Sequence, residues 1–148
     1  MQSTSHVSPV PAGYHTVTPY LIVADAQGLF AFLTDGFGAQ EIRRTPTLDG
    51  GVLNIEAQIG DSMVMLVQAR TAHEARPASL YLYVPDVDAT HARAIAAGGV
   101  TLMDPADMFY GDRSAGVADR ASNHWWINAR REALTTAELA SRVAARVT

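Results

Sequence analysis

Few side chains in this sequence combine reactive chemistry with a position that would aim it at a ligand. Glu56 is a carboxylate on a strand-like stretch, where burial would raise its pKa and let it serve as a general base. Arg113 follows Asp112 in Tyr110-Gly111-Asp112-Arg113. Its guanidinium suits a bidentate contact to an acidic ligand, a pairing with Glu56, or a bond that only pins its loop. Among the histidines, His6 and His15 lie in or near an N-terminal arm, His73 in a linker and His91 on the outer face of a helix. His124, which opens His124-Trp125-Trp126-Ile127, is the one placed to look into a cavity. Cysteine is absent, which excludes disulfides, thiolate metal sites and cysteine nucleophiles and fits a reducing, cytoplasmic setting. No Gly-x-Ser-x-Gly elbow or His-Glu-x-x-His pair occurs, and Gly50-Gly51, Gly98-Gly99 and Gly111 read as turn glycines, not a phosphate loop.

The elements that must position these groups follow from periodicity. The chain has 148 residues and is 48% hydrophobic, enough for one domain or two small repeated modules. Its net charge of −4, without a dense basic run, argues against nucleic acid. No apolar run reaches the roughly 18–20 residues of a membrane span. Residues 1–12 lack the pattern of a secretory signal and read as a flexible arm. Strands are expected at 17–23, 40–47, 52–59 and 62–68, with a helix from Asp25 to Gly36 and a hairpin turn at Asp49-Gly50-Gly51. After a polar linker at 69–77 the order repeats. Strands are expected at 79–84, 100–103, 114–118 and 124–128, and a helix at 88–97. The expected plan is an α+β fold of paired βαβββ modules, about 13–68 and 78–130. A C-terminal helix within 131–148 carries a Leu139, Val143, Val147 stripe.

Several short motifs then carry a resemblance. They are Thr18-Pro19-Tyr20-Leu21, Phe37-Gly38-Ala39, Ile59-Gly60-Asp61-Ser62, Tyr83-Val84-Pro85-Asp86-Val87-Asp88, Ala97-Gly98 and Tyr110-Gly111-Asp112-Arg113. In order and spacing the chain resembles the vicinal oxygen chelate superfamily of glyoxalases, bleomycin-resistance proteins and extradiol dioxygenases. It looks most like the glyoxalase-like branch related to the phosphonate-operon protein. The resemblance implies an open cupped sheet and a homodimer. The chain also departs from that branch. Asp119-Arg120-Ala121-Ser122 stands where the branch has Asp-Pro-Phe-Gly, Asn54 where it has His, and Leu33 where it has Tyr.

Metal-dependent members of the superfamily place His, Gln or Glu ligands on the first, fourth, fifth and eighth strands. Matching by motif puts Thr18, Met65 or Val67, Ser79 and Trp126 at those positions. None is a good ligand for a divalent ion, so neither a metal nor another cofactor is expected. Strand alternation instead aims Tyr20, Asn54, Glu56, Tyr81, Tyr83, His124 and Trp126 into the cup. Aromatic walls with few polar groups suit a small organic, flat or apolar ligand, or else simply fill the interior or a dimer seam. The sequence therefore leaves three readings: a metal-free binder of such a compound, with Arg113 completing the site; a lyase or dioxygenase-type enzyme with Glu56 as base or in an unusual metal site; and a scaffold with a filled cup.

Overall fold

The computed structural model describes residues 6–146. The element order is β1 (Tyr20–Val23), α1 (Ala26–Phe37), β2 (Gln40–Pro46), β3 (Val52–Ile59), β4 (Ser62–Gln68), β5 (Ser79–Tyr83), α2 (Val87–Ala96), β6 (Val100–Asp107), β7 (Asp112–Ala118), β8 (His124–Arg130) and α3 (Thr136–Ala145). The strands form two sheets with orders β1-β4-β3-β2 and β5-β8-β7-β6, so the repeated βαβββ plan is realised twice. In each module the first strand pairs in parallel with the fourth, and the other pairings are antiparallel.

Helices α1 and α2 each begin where an aspartate accepts a free backbone N–H. Asp25 caps α1 through Gly28 N at 2.9 Å, and Asp86 caps α2 through Ala89 N at 3.0 Å. Leu29, Phe32 and Leu33 form the buried stripe of α1, which stops at Gly38 in the left-handed conformation, φ 70°. Leu21, Val23, Ile55, Val64 and Leu66 of the first sheet lie under that stripe, and Ala115, Val117, Trp125 and Ile127 of the second join the same core. The helices touch each other, with Gly36 so close to Ala94 that a Cβ would sit 3.3 Å from its Cα. The two sheets share no hydrogen-bonded strand pair. The modules meet through their helices, and the opposite face of each sheet is left uncovered by a helix.

Where boundaries differ from the periodicity, backbone chemistry explains them. β1 starts at Tyr20, not 17, because Pro19 has no N–H to extend the ladder. β6 runs on to Asp107 through Pro105, tolerated because β6 is an edge strand and its register shifts between Met103 and Ala106. Helix α3 opens with a capping box, Thr135 with Glu138, but buries no residue. Its Leu139–Val143 stripe is not what docks it; Val143 remains 45% exposed, and Val147 lies outside the described residues. Arg142 does the docking, donating to Phe109 O at 3.0 Å and pairing with Glu132 at 2.7 Å, while Arg146 lies 4.0 Å over the Phe109 ring.

Candidate functional site

Register places the cup-facing residues of the first sheet in rows. Tyr20, Met65, Glu56 and Arg43 stand side by side across β1, β4, β3 and β2, and Ile22, Val67, Asn54 and Thr45 form the next row. Leu21, Leu66 and Ile55 alternate to the helix side and are fully buried. The faces expected for Tyr20, Asn54 and Glu56 are therefore those observed.

Glu56 is only 7% exposed, and both of its oxygens are engaged. The Tyr14 hydroxyl donates to Oε1, and Arg43 Nε donates to Oε2 at 2.5 Å. Two expectations are corrected here. The partner of Glu56 is Arg43, directly across the hairpin, and not Arg113. Its pKa is lowered, not raised, because the Tyr14 bond and the Arg43 charge outweigh burial. Burial and the bond to Glu56 push the Tyr14 phenol up to about 12. Nearby, Asn54 Oδ1 is buried without a donor among the described residues. A cavity of about 500 Å³ lies beside these rows, lined by Tyr20, Ile22, Leu53, Val67 and Gln68 together with Arg70, Glu74 and Arg76 of the following segment; Glu56 and Asn54 are not in its lining.

The second sheet repeats the rows with different chemistry. Tyr81, Trp126, Gly116 and Met103 are aligned across β5, β8, β7 and β6, followed by Tyr83, Asn128, Ser114 and Ala106. Tyr81 and Tyr83 make an edge-to-face pair with ring centres 5.4 Å apart, and the His124 and Trp126 rings are 6.3 Å apart. A Cβ at Gly116 would lie 2.5 Å from the Trp126 ring, so only glycine lets the indole lie flat on β7. Beneath the rings the polar groups are satisfied. Ser114 Oγ donates to Asn128 Oδ1 at 2.6 Å, which leaves Tyr110 as donor to Ser114 at 3.0 Å. Asn128 Nδ2 donates to Trp126 O at 2.9 Å, and the Tyr81 hydroxyl to Asp112 at 3.3 Å. Burial, then Tyr110 and Asp112, raise the Tyr81 pKa.

Arg113 stands apart from this face. It alternates to the helix side of β7 and is chelated by Asp88 at 2.6 Å and Asp107 at 3.1 Å. These carboxylates hold its pKa above the usual guanidinium range. The bond to α2 makes it a brace between helix and sheet. A hollow of about 630 Å³ lies beside it, lined also by Asp112, Arg131 and Glu132.

The positions that hold a metal in related enzymes do not fit one in this chain. Met65 and Val67 face the cup as apolar side chains, Ser79 offers a neutral hydroxyl opposite His124, and Trp126 covers Gly116. Among the described residues no three His, Asp or Glu side chains gather into a group able to hold an ion.

Sequence reasoning missed Tyr14, Arg43, Tyr110 and Ser114. Arg43 was recoverable, since it lies as far before the 49–50 turn as Glu56 lies after it. Tyr14 sits in a Pro- and Gly-containing segment without periodicity, and nothing local points it at β3.

The geometry now has a context. Residues 13–127 match the model of the Glyoxalase/Bleomycin resistance protein/Dioxygenase superfamily. An uncharacterized protein of Mycobacterium bovis is 32% identical, over 74% of this chain and 79% of its own. Among solved structures, TioX from Micromonospora superposes with a TM-score of 0.68 at 21% identity, covering 77% of this chain and 97% of TioX. A PhnB protein from Bacillus cereus gives 0.65 at 16%, covering 78% and 99%. At these identities the two structures establish the shared fold. From the family match over residues 13–127, the chain belongs to the glyoxalase/bleomycin resistance/dioxygenase superfamily.

Proposed function

We propose that this protein binds a small organic, aromatic ligand without a metal, in a cup assembled from the uncovered faces of its two sheets. The observation that carries this reading is aromatic exposure: Tyr20, Tyr81 and Tyr83 are 56%, 50% and 68% exposed on faces that no helix covers. Leaving three large rings in water on one side of each sheet costs burial that a ligand or a second copy recovers. In the proposal a homodimer sets the first sheet of one chain beside the second sheet of its partner. Tyr20, Asn54 and Glu56 then face Tyr81, Tyr83, His124 and Trp126, with cytoplasmic function. Arg113 is assigned to bracing, because each of its three nitrogens already donates to Asp88 or Asp107 on the helix side of β7. The enzymatic reading with Glu56 as base is disfavoured, since a carboxylate held low by Tyr14 and Arg43 is a poor proton acceptor near neutral pH.

The test has two arms. Protein purified without added metal is assayed for metal content and for melting temperature with Ni²⁺, Zn²⁺, Mn²⁺ or Fe²⁺, then screened against planar aromatic compounds. A native-state ligand at about a hundred times its Kd adds about 2.7 kcal/mol of stability. The proposal expects no stoichiometric metal, no metal-induced shift and an upward shift with at least one aromatic class. Stoichiometric metal with a shift on reloading would overturn it.

A further inference from the structure

The segment before β1 points to the kind of aromatic compound. Residues 6–18 have no regular secondary structure, and the chain turns at Pro11–Tyr14, where Tyr14 N donates to Pro11 O at 3.1 Å with Gly13 at φ 82°. Among the described residues of this segment, Tyr14 alone is hydrogen-bonded to the body of the protein, through its hydroxyl to Glu56. The rest of the segment lies largely in solvent. One phenol on a tether thus occupies the cup face of the first sheet.

The acceptors around it ask for more donors than Tyr14 supplies. Glu56 is buried and negative; one oxygen is served by Arg43 across the strands, and the other depends on the phenol. Asn54 Oδ1, on the same face and one row away, is buried with no donor among the described residues. A buried acceptor left unmade is costly, so a ligand that brings a donor to it gains affinity. Tyr20, Ile22 and Val67, on the same face of the sheet, line the neighbouring cavity.

Resting on the metal-free binding reading above, we infer that the first sheet's face is a site for a hydroxylated aromatic compound, a neutral phenol carrying a second hydrogen-bond donor, and that Tyr14 is its resident stand-in. The ligand hydroxyl replaces the Tyr14 hydroxyl on Glu56, its ring covers Tyr20, Ile22 and Val67, and its second donor reaches Asn54. Displacing Tyr14 breaks one hydrogen bond and frees a segment that makes no other to the body, so the exchange is nearly balanced. Carboxylic acids are disfavoured because Glu56 would repel them. The raised Tyr14 pKa agrees, since the same surroundings that keep that phenol protonated would keep a bound one protonated.

The test uses 4-methylphenol, which reproduces the tyrosine side chain, and toluene, which lacks the hydroxyl. Binding to the full chain is measured by NMR titration. In Tyr14→Ala, 4-methylphenol is expected to bind about ten- to hundredfold tighter than toluene, the range of one hydrogen bond to a charged group. It should also bind at least about tenfold tighter than to the wild type, where Tyr14 competes. Adding Glu56→Gln should erase most of the preference over toluene. Tyr14→Phe keeps the ring and frees Glu56; there the phenol gains a few-fold over wild type. Equal binding of phenol and toluene, or tighter binding to the wild type than to either Tyr14 variant, would overturn the inference and leave the aromatic-ligand reading standing. Failure of every aromatic probe to bind any variant would remove both.

Discussion

The two sheets share topology and register yet differ at the same grid points. Tyr20 and Tyr81 occupy equivalent edge positions, but the row continues Met65, Glu56, Arg43 in one sheet and Trp126, Gly116, Met103 in the other. The first sheet presents a buried charge, its counter-ion and an unpaired amide. The second presents edge-to-face rings over polar groups that already satisfy one another. A repeated backbone therefore does not imply a repeated function. Under the proposed function, the first half offers acceptors to a ligand's hydrogen-bond donors and the second offers aromatic surface. A small polar-edged aromatic ligand between them would use both.

The sharpest contrast lies in the turns that join the third and fourth strands of each module. In the first, Gly60 takes φ 58° and Asp61 is exposed, accepting from Ser62 Oγ at 3.0 Å. In the second, Asp119 is buried and accepts from Ala121 N, Asn123 N and Nδ2, and Trp125 Nε1 at 2.8 Å. Asp119→Ala strands several buried donors and should cost about 3 kcal/mol in urea unfolding, whereas Asp61→Ala should change stability by less than about 0.5 kcal/mol. Equal effects would erase the distinction. Next in size, Gly116→Ala drives a methyl into the Trp126 ring and should cost about 1–3 kcal/mol, with a change in indole fluorescence.

Glu56→Gln tests the charged half. Because the folded carboxyl is held below its ordinary value, its contribution is fully present above the unfolded pKa of about 4.3 and fades as pH falls through the lower folded value. Arg43 is 74% exposed, so its share is screened, and the variant should lose about 1 kcal/mol at pH 7. The gap from wild type should close on acidification below about pH 4, as followed by urea midpoints. One further expected effect is a gain. Ser122 is a non-glycine residue at φ 65°, in the left-handed region that favours glycine, and Ser122→Gly should raise stability by about 0.5–1 kcal/mol.

The architecture was legible because its signals are local. Asp25 and Asp86 before apolar stripes start the helices, Asp49-Gly50-Gly51 makes the hairpin, and β3 and β4 fall at 52–59 and 62–68 as alternation implies. Which face each residue takes on β1, β3, β5 and β8 follows from the same period of two. Arg113 was misplaced because its partner Asp88 comes from a helix 25 residues away, and only the tertiary fold shows that β7 turns this side chain toward α2. The Glu56 pKa was misjudged for the same reason: burial is visible in a strand pattern, but the phenol that reverses its effect arrives from a segment 42 residues distant.

The central claim is that the two unlike sheet faces bind one aromatic ligand without a metal. The most direct measurement is an amide and side-chain NMR titration of chelator-treated protein with the best aromatic hit, repeated after adding Zn²⁺. The account predicts saturable shifts at Tyr20, Asn54 and Glu56 and at Tyr81, Tyr83 and the Trp126 indole, unchanged by the ion. Shifts that require the ion, or that fall on the helix faces and leave both sets of residues untouched, would contradict it.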